Sequence, residues 1–293
     1  MRKERARRIF AATTLFICAA AMILLVCIHA GLISWPWKDN LPDDAAGMEI
    51  VFLDVGEGDA IFVTADGESM MVDGGLPEYS DMIYSFLKAR DIDVLKYVVC
   101  THPHSDHVGG LSGALSYAKT QEAICCTDEF DSRSFESFLR RLKDQGVTLK
   151  AVSAGYVFSL GNAEVTVISP SREYGEMNDM SLVLRIRYGD TSVLLTGDAG
   201  YEAELDMMDS DYDLDADLLK AGHHGSGASS YYYFLREVSP KYCVISVGKD
   251  NEHGHPSENV ISKLESIGAE IIRTDESGTI TFFSDGKTLR RTG

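Results

Sequence analysis

Cysteine is scarce: six residues in 293, too few for a disulfide scaffold. Seven prolines against 26 glycines exclude a proline-rich linker or a collagen-like repeat. Cations are also in short supply, with 27 Lys+Arg against 45 Asp+Glu and a formal net charge of −18. Positions 9–37 carry no charge at all, whereas residues 2–8 hold five cations and one anion, so residues 38–293 carry a net −22. A body this acidic repels polyanions unless a bound cation reverses the local field. It shows no basic stripe interleaved with aromatics, and Lys220, Arg236, Lys241 and Lys249 read as scattered cations. At 45% hydrophobic and 25% charged the chain has an ordinary globular composition, which excludes a disordered tail and a polytopic transporter.

The uncharged stretch Phe10–Ile33 is long enough to cross a bilayer core, which takes about 20 residues. The basic cluster before it places the N-terminus in the cytoplasm, and Trp35 and Trp37 stand where an interfacial belt belongs. The expected organisation is a cytoplasmic basic segment (1–8), a signal anchor or transmembrane helix (9–34), a polar linker (35–47) and one domain (48–293). A cleaved signal peptide is the alternative. Either way, the expected location of the body is outside the cytoplasmic membrane, as a single-pass membrane protein or a secreted one.

The body alternates strand and helix. Strand patterns are expected at 48–54, 60–64, 69–72, 94–100, 164–169, 181–188, 192–196, 217–219, 242–247, 270–273 and 279–284. Helical spacing is expected at 78–90, 108–119, 132–145, 201–208, 229–238 and 257–267. A strand-rich start followed by alternation, presented twice, predicts two α/β halves packed through their sheets. Cys100 and Cys243 read as small core residues, and a bond between the adjacent Cys125 and Cys126 would be strained.

Seven of the eight histidines fall in short clusters. The first, His102-Pro-His104-Ser-Asp106-His107, follows a strand directly and offers four nitrogen and oxygen donors of the kind that suit Zn²⁺ and similar cations. Leu194-Leu-Thr-Gly-Asp198 ends a strand in one carboxylate, a candidate bridge between two cations. Lys220-Ala-Gly-His223-His224-Gly-Ser226 ends another strand in two histidines. Adjacent residues cannot readily point the same way, so one is expected to bind metal and the other to face substrate. His253-Gly-His255-Pro is a candidate to close one side of the cleft. No G-x-S-x-G nucleophile elbow occurs, which suits a metal-activated water.

The segment HPHSDH at 102–107 resembles the H-x-H-x-D-H signature of the metallo-β-lactamase fold. FLDVGEGDAIFV at 52–63, MMVDGG at 70–75, NDMSLVLRI at 178–186, LLTGD at 194–198, LLKAGHHGS at 218–226 and GHPS at 254–257 are similar to the exported catalytic domain of the ComEC DNA-uptake family, here in a free-standing form. The resemblance spans about residues 48–284. It implies an αβ/βα four-layer sandwich with the site at one sheet edge, and two divalent metal ions, Zn or Mn. His102 and His104 would hold the first. Asp106, His107 and His223 would hold the second, with Asp198 bridging them. The choice of His223 over His224 rests on its position after the strand. Relatives of this fold supply a further first-site histidine from mid-chain, but no histidine lies between His107 and His223. Asn178 stands near that place, where water, Asn178 or substrate oxygen would fill the position. Asp73 would be a supporting carboxylate, and Asp54 and Asp59 lie in a turn near the site.

The implied activity is metal-dependent hydrolysis by a water shared between two cations. Asp106 would orient that water. His224 and His255 would steady charge or protonate the leaving oxygen, and Ser226 would contact substrate. The implied substrate is a phosphodiester, with single-stranded DNA the first choice. A small envelope phosphodiester, a lactone or β-lactam, and a non-catalytic role in DNA uptake are the alternatives. Tyr231-Tyr232-Tyr233-Phe234 is read as a helix covering its own core rather than a base-stacking platform. Membrane contact through residues 9–34 is expected, and no protein partner is deducible.

Overall fold

A computed structural model of the chain describes residues 46–293. The basic segment, the signal anchor and all but the last two residues of the linker lie outside the described residues. Among the described residues no helix is long and apolar enough to cross a membrane.

The chain forms two mixed sheets that repeat one plan. In the first, the antiparallel strands β1 (Met48–Phe52), β2 (Ile61–Ala65) and β3 (Glu68–Val72) lead into parallel β4 (Val94–Cys100), β5 (Lys119–Cys125) and β6 (Leu149–Ala151). In the second, antiparallel β7 (Val157–Leu160), β8 (Ala163–Ser169), β9 (Val183–Tyr188) and β10 (Thr191–Leu195) lead into parallel β11 (Leu218–Lys220), β12 (Tyr242–Ile245) and β13 (Glu270–Arg273). Strands β14 (Ile280–Ser284) and β15 (Leu289–Arg291) return to the first sheet beside β1. Short turns suffice for the antiparallel pairs, while the parallel ones need crossovers, which here carry the helices. The central strands β1 and β10 are buried along their whole length, and apart from Glu49, Thr191 and Ser192 they are apolar.

The two sheets face each other. Tyr97 of β4 meets Phe158 of β7 with ring centroids 4.3 Å apart, and Tyr242 of β12 meets Phe282 of β14 at 5.1 Å. Thr191 and Ser284 hydroxyls join across the same interface at 2.6 Å. Helix α1 (Ser80–Ala89) buries Ile83, Phe86 and Leu87, Phe86 packs on Phe62 of the first sheet at 5.3 Å, and α4 (Arg133–Asp144) buries Phe135, Phe138 and Leu142. On the second sheet, helices α5 (Tyr201–Met208), α6 (Tyr232–Val238) and α7 (Glu258–Ser266) bury Ala203, Met207, Phe234, Leu235, Val260 and Leu264 in one apolar cluster with Leu194, Leu219 and Cys243.

Four strands had no sequence expectation: β5, β6, β7 and β15. Three have only three or four residues, and β7 alternates exposed and buried positions at a sheet edge. The helix expected at 108–119 is broken into α2 (Ser105–Val108) and α3 (Leu111–Tyr117). The break falls at Gly109-Gly110, where the chain crosses the Asp73-Gly74-Gly75 turn so closely that a Cβ on Gly110 would lie 1.9 Å from the Gly74 carbonyl. Cys100, Cys125, Cys126 and Cys243 are free and buried.

Candidate metal centre

Each ligand-type motif leaves the C-terminal end of a strand: 101–107 after β4, 196–200 after β10 and 221–226 after β11. Strand ends of this kind form the crevice of open α/β sheets. The first motif is held by Asp73, whose carboxylate accepts from the Thr101 amide (2.7 Å) and hydroxyl (2.6 Å) and contacts His107 Nδ1 at 2.8 Å. This contact uses one ring nitrogen of His107 and leaves Nε2 facing inward, the usual way a carboxylate orients a metal-binding imidazole. The DVGEGD loop lies across the same motif. A Cβ on Gly58, which has φ +102°, would sit 1.9 Å from the Asp106 carbonyl, and Asp59 donates its amide to that carbonyl at 3.2 Å.

Asp106, His107, Asp198 and His224 bring one donor atom each within 4.8 Å of one another. Asp198 Oδ1 lies 3.3 Å from His107 Nε2 and 3.4 Å from His224 Nε2, and Asp106 Oδ2 is 3.6 Å from both rings. His107 Nε2, Asp198 Oδ1 and His224 Nε2 are buried and make no hydrogen bond. Polar atoms left in this state are costly, and two imidazoles with two carboxylates are a donor set that fits a divalent cation. Burial opposes charge on Asp198, yet His107 and His224 hold its carboxyl well below the usual range. Burial likewise disfavours a charged His107, but Asp198, Asp106 and Asp73 pull its pKa well above that of free imidazole. The pocket therefore favours positive charge, which a bound dication would supply in place of protons.

The histidine of this quartet is His224, not the His223 expected from strand position. Strand β11 ends at Lys220, and both histidines take left-handed backbone, with φ of +47° and +53°. That strained pair turns His224 inward against Asp106 and aims His223 elsewhere. His224 Nδ1 is fixed at 3.1 Å from the Ser246 carbonyl. His102 and His104 lie on the other side of Asp198: His102 Nε2 is 3.0 Å from His104 Nδ1 and 3.8 Å from Asp198 Oδ2. Asn178 Nδ2 is 3.4 Å from the His223 ring.

An open cleft of about 380 Å³ reaches the quartet, lined by Asp106, His223, His224, Glu57, His253 and His255 among others. His255 sits with its ring centroid 5.7 Å from that of His223. Burial, reinforced by His223 and His224, lowers its pKa to about 4, so it is neutral at pH 7. Ser226 does not line the cleft. Its hydroxyl accepts from the Ala228 amide at 3.3 Å and serves the turn. Asp54 likewise closes its own turn, accepting from the Gly56 amide at 3.2 Å.

Several supporting residues escaped the sequence reading. Lys220, read as a scattered cation, is 0% exposed and pairs with buried Asp59 at 2.7 Å. A lysine inside an otherwise apolar strand was the available signal. Ser181 Oγ accepts from the Asp198 amide at 3.1 Å and lies 3.3 Å from His102 Nδ1. The tyrosine run also divides: Phe234 is in the core, whereas Tyr233 is 55% exposed and Tyr232 36% exposed.

These geometries have a family counterpart. The model of the metallo-beta-lactamase superfamily matches residues 53–249. The chain belongs to the metallo-β-lactamase superfamily. That superfamily is one of metal-dependent hydrolases, and its placement agrees with the two-sheet architecture. Among curated relatives, ComE operon protein 3 of Bacillus subtilis is 30% identical over 253 residues, covering 80% of this chain and 33% of the relative. Competence protein ComA of Neisseria gonorrhoeae is 28% identical over 281 residues, covering 92% of this chain and 38% of the relative. The chain thus spans about a third of the length of these relatives. Among solved structures, the metallo-beta-lactamase fold protein YhfI of Bacillus subtilis matches with TM-score 0.54 and 14% identity, over 81% of this chain and 100% of that one.

Glu204 ties two loops of the centre together. It stands on α5, six residues after Asp198, and accepts from the Ser230 and Tyr231 amides at 2.6 and 2.7 Å. Burial raises its pKa to about 7 against those hydrogen bonds. A raised carboxyl pKa means the folded chain holds a proton that the unfolded chain has released, so this group's contribution to stability declines as pH rises from about 4.5 to about 7. Replacing Glu204 with Gln is expected to flatten that part of the stability profile. Denaturant midpoints measured at pH 5 and pH 8 on both proteins check it.

Proposed function

We propose that this chain is a dimetal phosphodiesterase acting on single-stranded DNA outside the cytoplasmic membrane, anchored through residues 9–34. The observation that carries the reading is the convergence of unpartnered His107 Nε2, Asp198 Oδ1 and His224 Nε2 beside a cleft open to solvent. When bound, two divalent cations, Zn or Mn, would lower the pKa of a shared water and polarise a phosphoryl oxygen. Asp106 would accept a hydrogen bond from the attacking water. Neutral His255 would hold a phosphoryl or leaving oxygen as a hydrogen-bond donor rather than as an imidazolium acid. The kinship with named competence proteins supports a DNA substrate. The exposed tyrosines support it as well. Exposed Tyr201 at the start of α5, half-buried Tyr231 and exposed Tyr233 in α6 form a chain with ring centroids 4.8 and 5.4 Å apart, on the segments that come after Asp198 and His224. Stacking on such rings is worth about 1–3 kcal/mol per base.

A second reading is a small envelope phosphodiester. The net −22 of residues 38–293 and Glu57 on the cleft wall favour it. The purified full chain, loaded with Mn²⁺ or Zn²⁺, is expected to hydrolyse both bis-p-nitrophenyl phosphate and labelled single-stranded DNA. The Tyr233→Ala variant should lose about 5- to 150-fold on DNA and little on the small diester. Turnover of the small diester alone would select the second reading. Metal binding without turnover of either would leave lactone or β-lactam hydrolysis, or a binding role in uptake.

A further inference from the structure

The two oxygens of Asp198 face different sets of rings. Oδ1 faces the quartet partners His107 and His224, at 3.3 and 3.4 Å. Oδ2 faces His102 Nε2 and His223 Nε2, each at 3.8 Å. His104 joins the second set through its 3.0 Å approach to His102. No histidine lies between His107 and His223 in the chain, and Asn178 stands on this side. Its Nδ2 is 3.4 Å from the His223 ring, and its Oδ1 is buried with no hydrogen-bond partner. We infer that His223 is the third imidazole of the first metal position, replacing the mid-chain histidine this chain lacks, so that two adjacent histidines serve two different cations.

The backbone explains how this is possible. Successive left-handed residues place the two rings against different oxygens of Asp198, His223 Nε2 on Oδ2 and His224 Nε2 on Oδ1. The conformation is costly for residues other than glycine, at about 1–3 kcal/mol each, and such strain concentrates at functional sites. The donor set becomes His102, His104, His223 and Asp198 Oδ2 on one side. On the other it is Asp106, His107, His224 and Asp198 Oδ1. Each then holds four nitrogen and oxygen donors, as a first-row dication prefers. Asn178 lies beside the first set and braces His223 rather than completing it.

The inference rests on the dimetal reading above, and metal stoichiometry separates the two. The full chain is stripped with chelator and titrated with Mn²⁺, with bound metal counted by spin resonance and elemental analysis. Two equivalents are expected for the unaltered chain. His223→Gln and His102→Gln should each lower one equivalent's affinity at least tenfold, and the double variant should still bind one. The pair His223→Gln with His224→Gln should bind none tightly. His223 is partly exposed, and its side chain meets Asp198, Asn178 and the rings of His224 and His255, so its loss should leave the fold intact by circular dichroism. Two tight equivalents in His223→Gln would overturn the inference and leave the dimetal reading standing. Loss of both equivalents in the His102→Gln, His223→Gln pair would place His223 with the other cation and overturn it too. No binding by the unaltered chain would overturn both.

Discussion

Replacing Asp198 with Asn is expected to reduce metal affinity and turnover further than any other single change, beyond the roughly 10–100-fold that supporting residues of a metal site typically cost. The carboxylate is almost fully buried, and its oxygens face four imidazoles, two on each side. Asparagine keeps the volume but removes the charge that offsets the cations and turns one acceptor into a donor. The amide of residue 198 still donates to Ser181 Oγ, so the loop should hold its path and the fold should survive. Asp73→Asn is the measured contrast. Asp73 touches His107 and Thr101 but lies behind the ring, so its loss should fall within that 10–100-fold range. Titration with Mn²⁺ and hydrolysis of bis-p-nitrophenyl phosphate check both variants. Equal losses in the two would show that Asp198 acts only as a support.

Lys220→Met is expected to cost the most stability, about 3–5 kcal/mol, because it strands the buried Asp59 carboxylate. Lys220 Nζ is 2.7 Å from Asp59 Oδ2 and also donates to the Ala221 carbonyl at 2.8 Å. No other cationic side chain reaches Asp59 within ion-pair distance among the described residues except His224, whose Nδ1 is 3.8 Å away and already faces Ser246. Charge left alone in such a place destabilises more than a missing pair does. The double variant Lys220→Met, Asp59→Asn should therefore recover much of the loss. Denaturant unfolding of the two single variants and the double one gives the coupling. Simple additivity would show that the pair contributes nothing beyond packing. The pair also joins the halves of the molecule, since Asp59 lies in the loop after β1 and Lys220 ends β11. Its loss should loosen the contact that lays Gly58 on the Asp106 carbonyl.

Much of the centre was legible in the chain itself. His102, His104, Asp106, His107 and Asp198 each follow an apolar run that could only be a buried strand, and residues just past such strands meet at a sheet edge. The uneven histidine distribution carried the same message. Strand content was legible wherever burial was continuous, as in β1, β10 and the second half of β4. It was not legible in the short edge strands β6 and β7, nor in β5, whose first half is polar and partly exposed, because there the local pattern is weak and pairing with neighbours supplies the stability.

By itself the sequence determined the two-halved α/β plan, a set of candidate donor residues and the motif resemblance that pointed to the superfamily, because hydrophobic periodicity and motif spacing are local properties. Only the tertiary structure decided which histidine joins Asp106, His107 and Asp198. The choice between His223 and His224 depends on two left-handed residues, a backbone state that residue type does not announce. The burial of Lys220 depends on Asp59, 161 positions away in the chain and supplied by the other half. The exposure of Tyr232 and Tyr233 beside buried Phe234 depends on which face of a seven-residue helix meets the sheet. In each case the deciding interaction is between segments remote in sequence, and its energy exists only once the two sheets have packed.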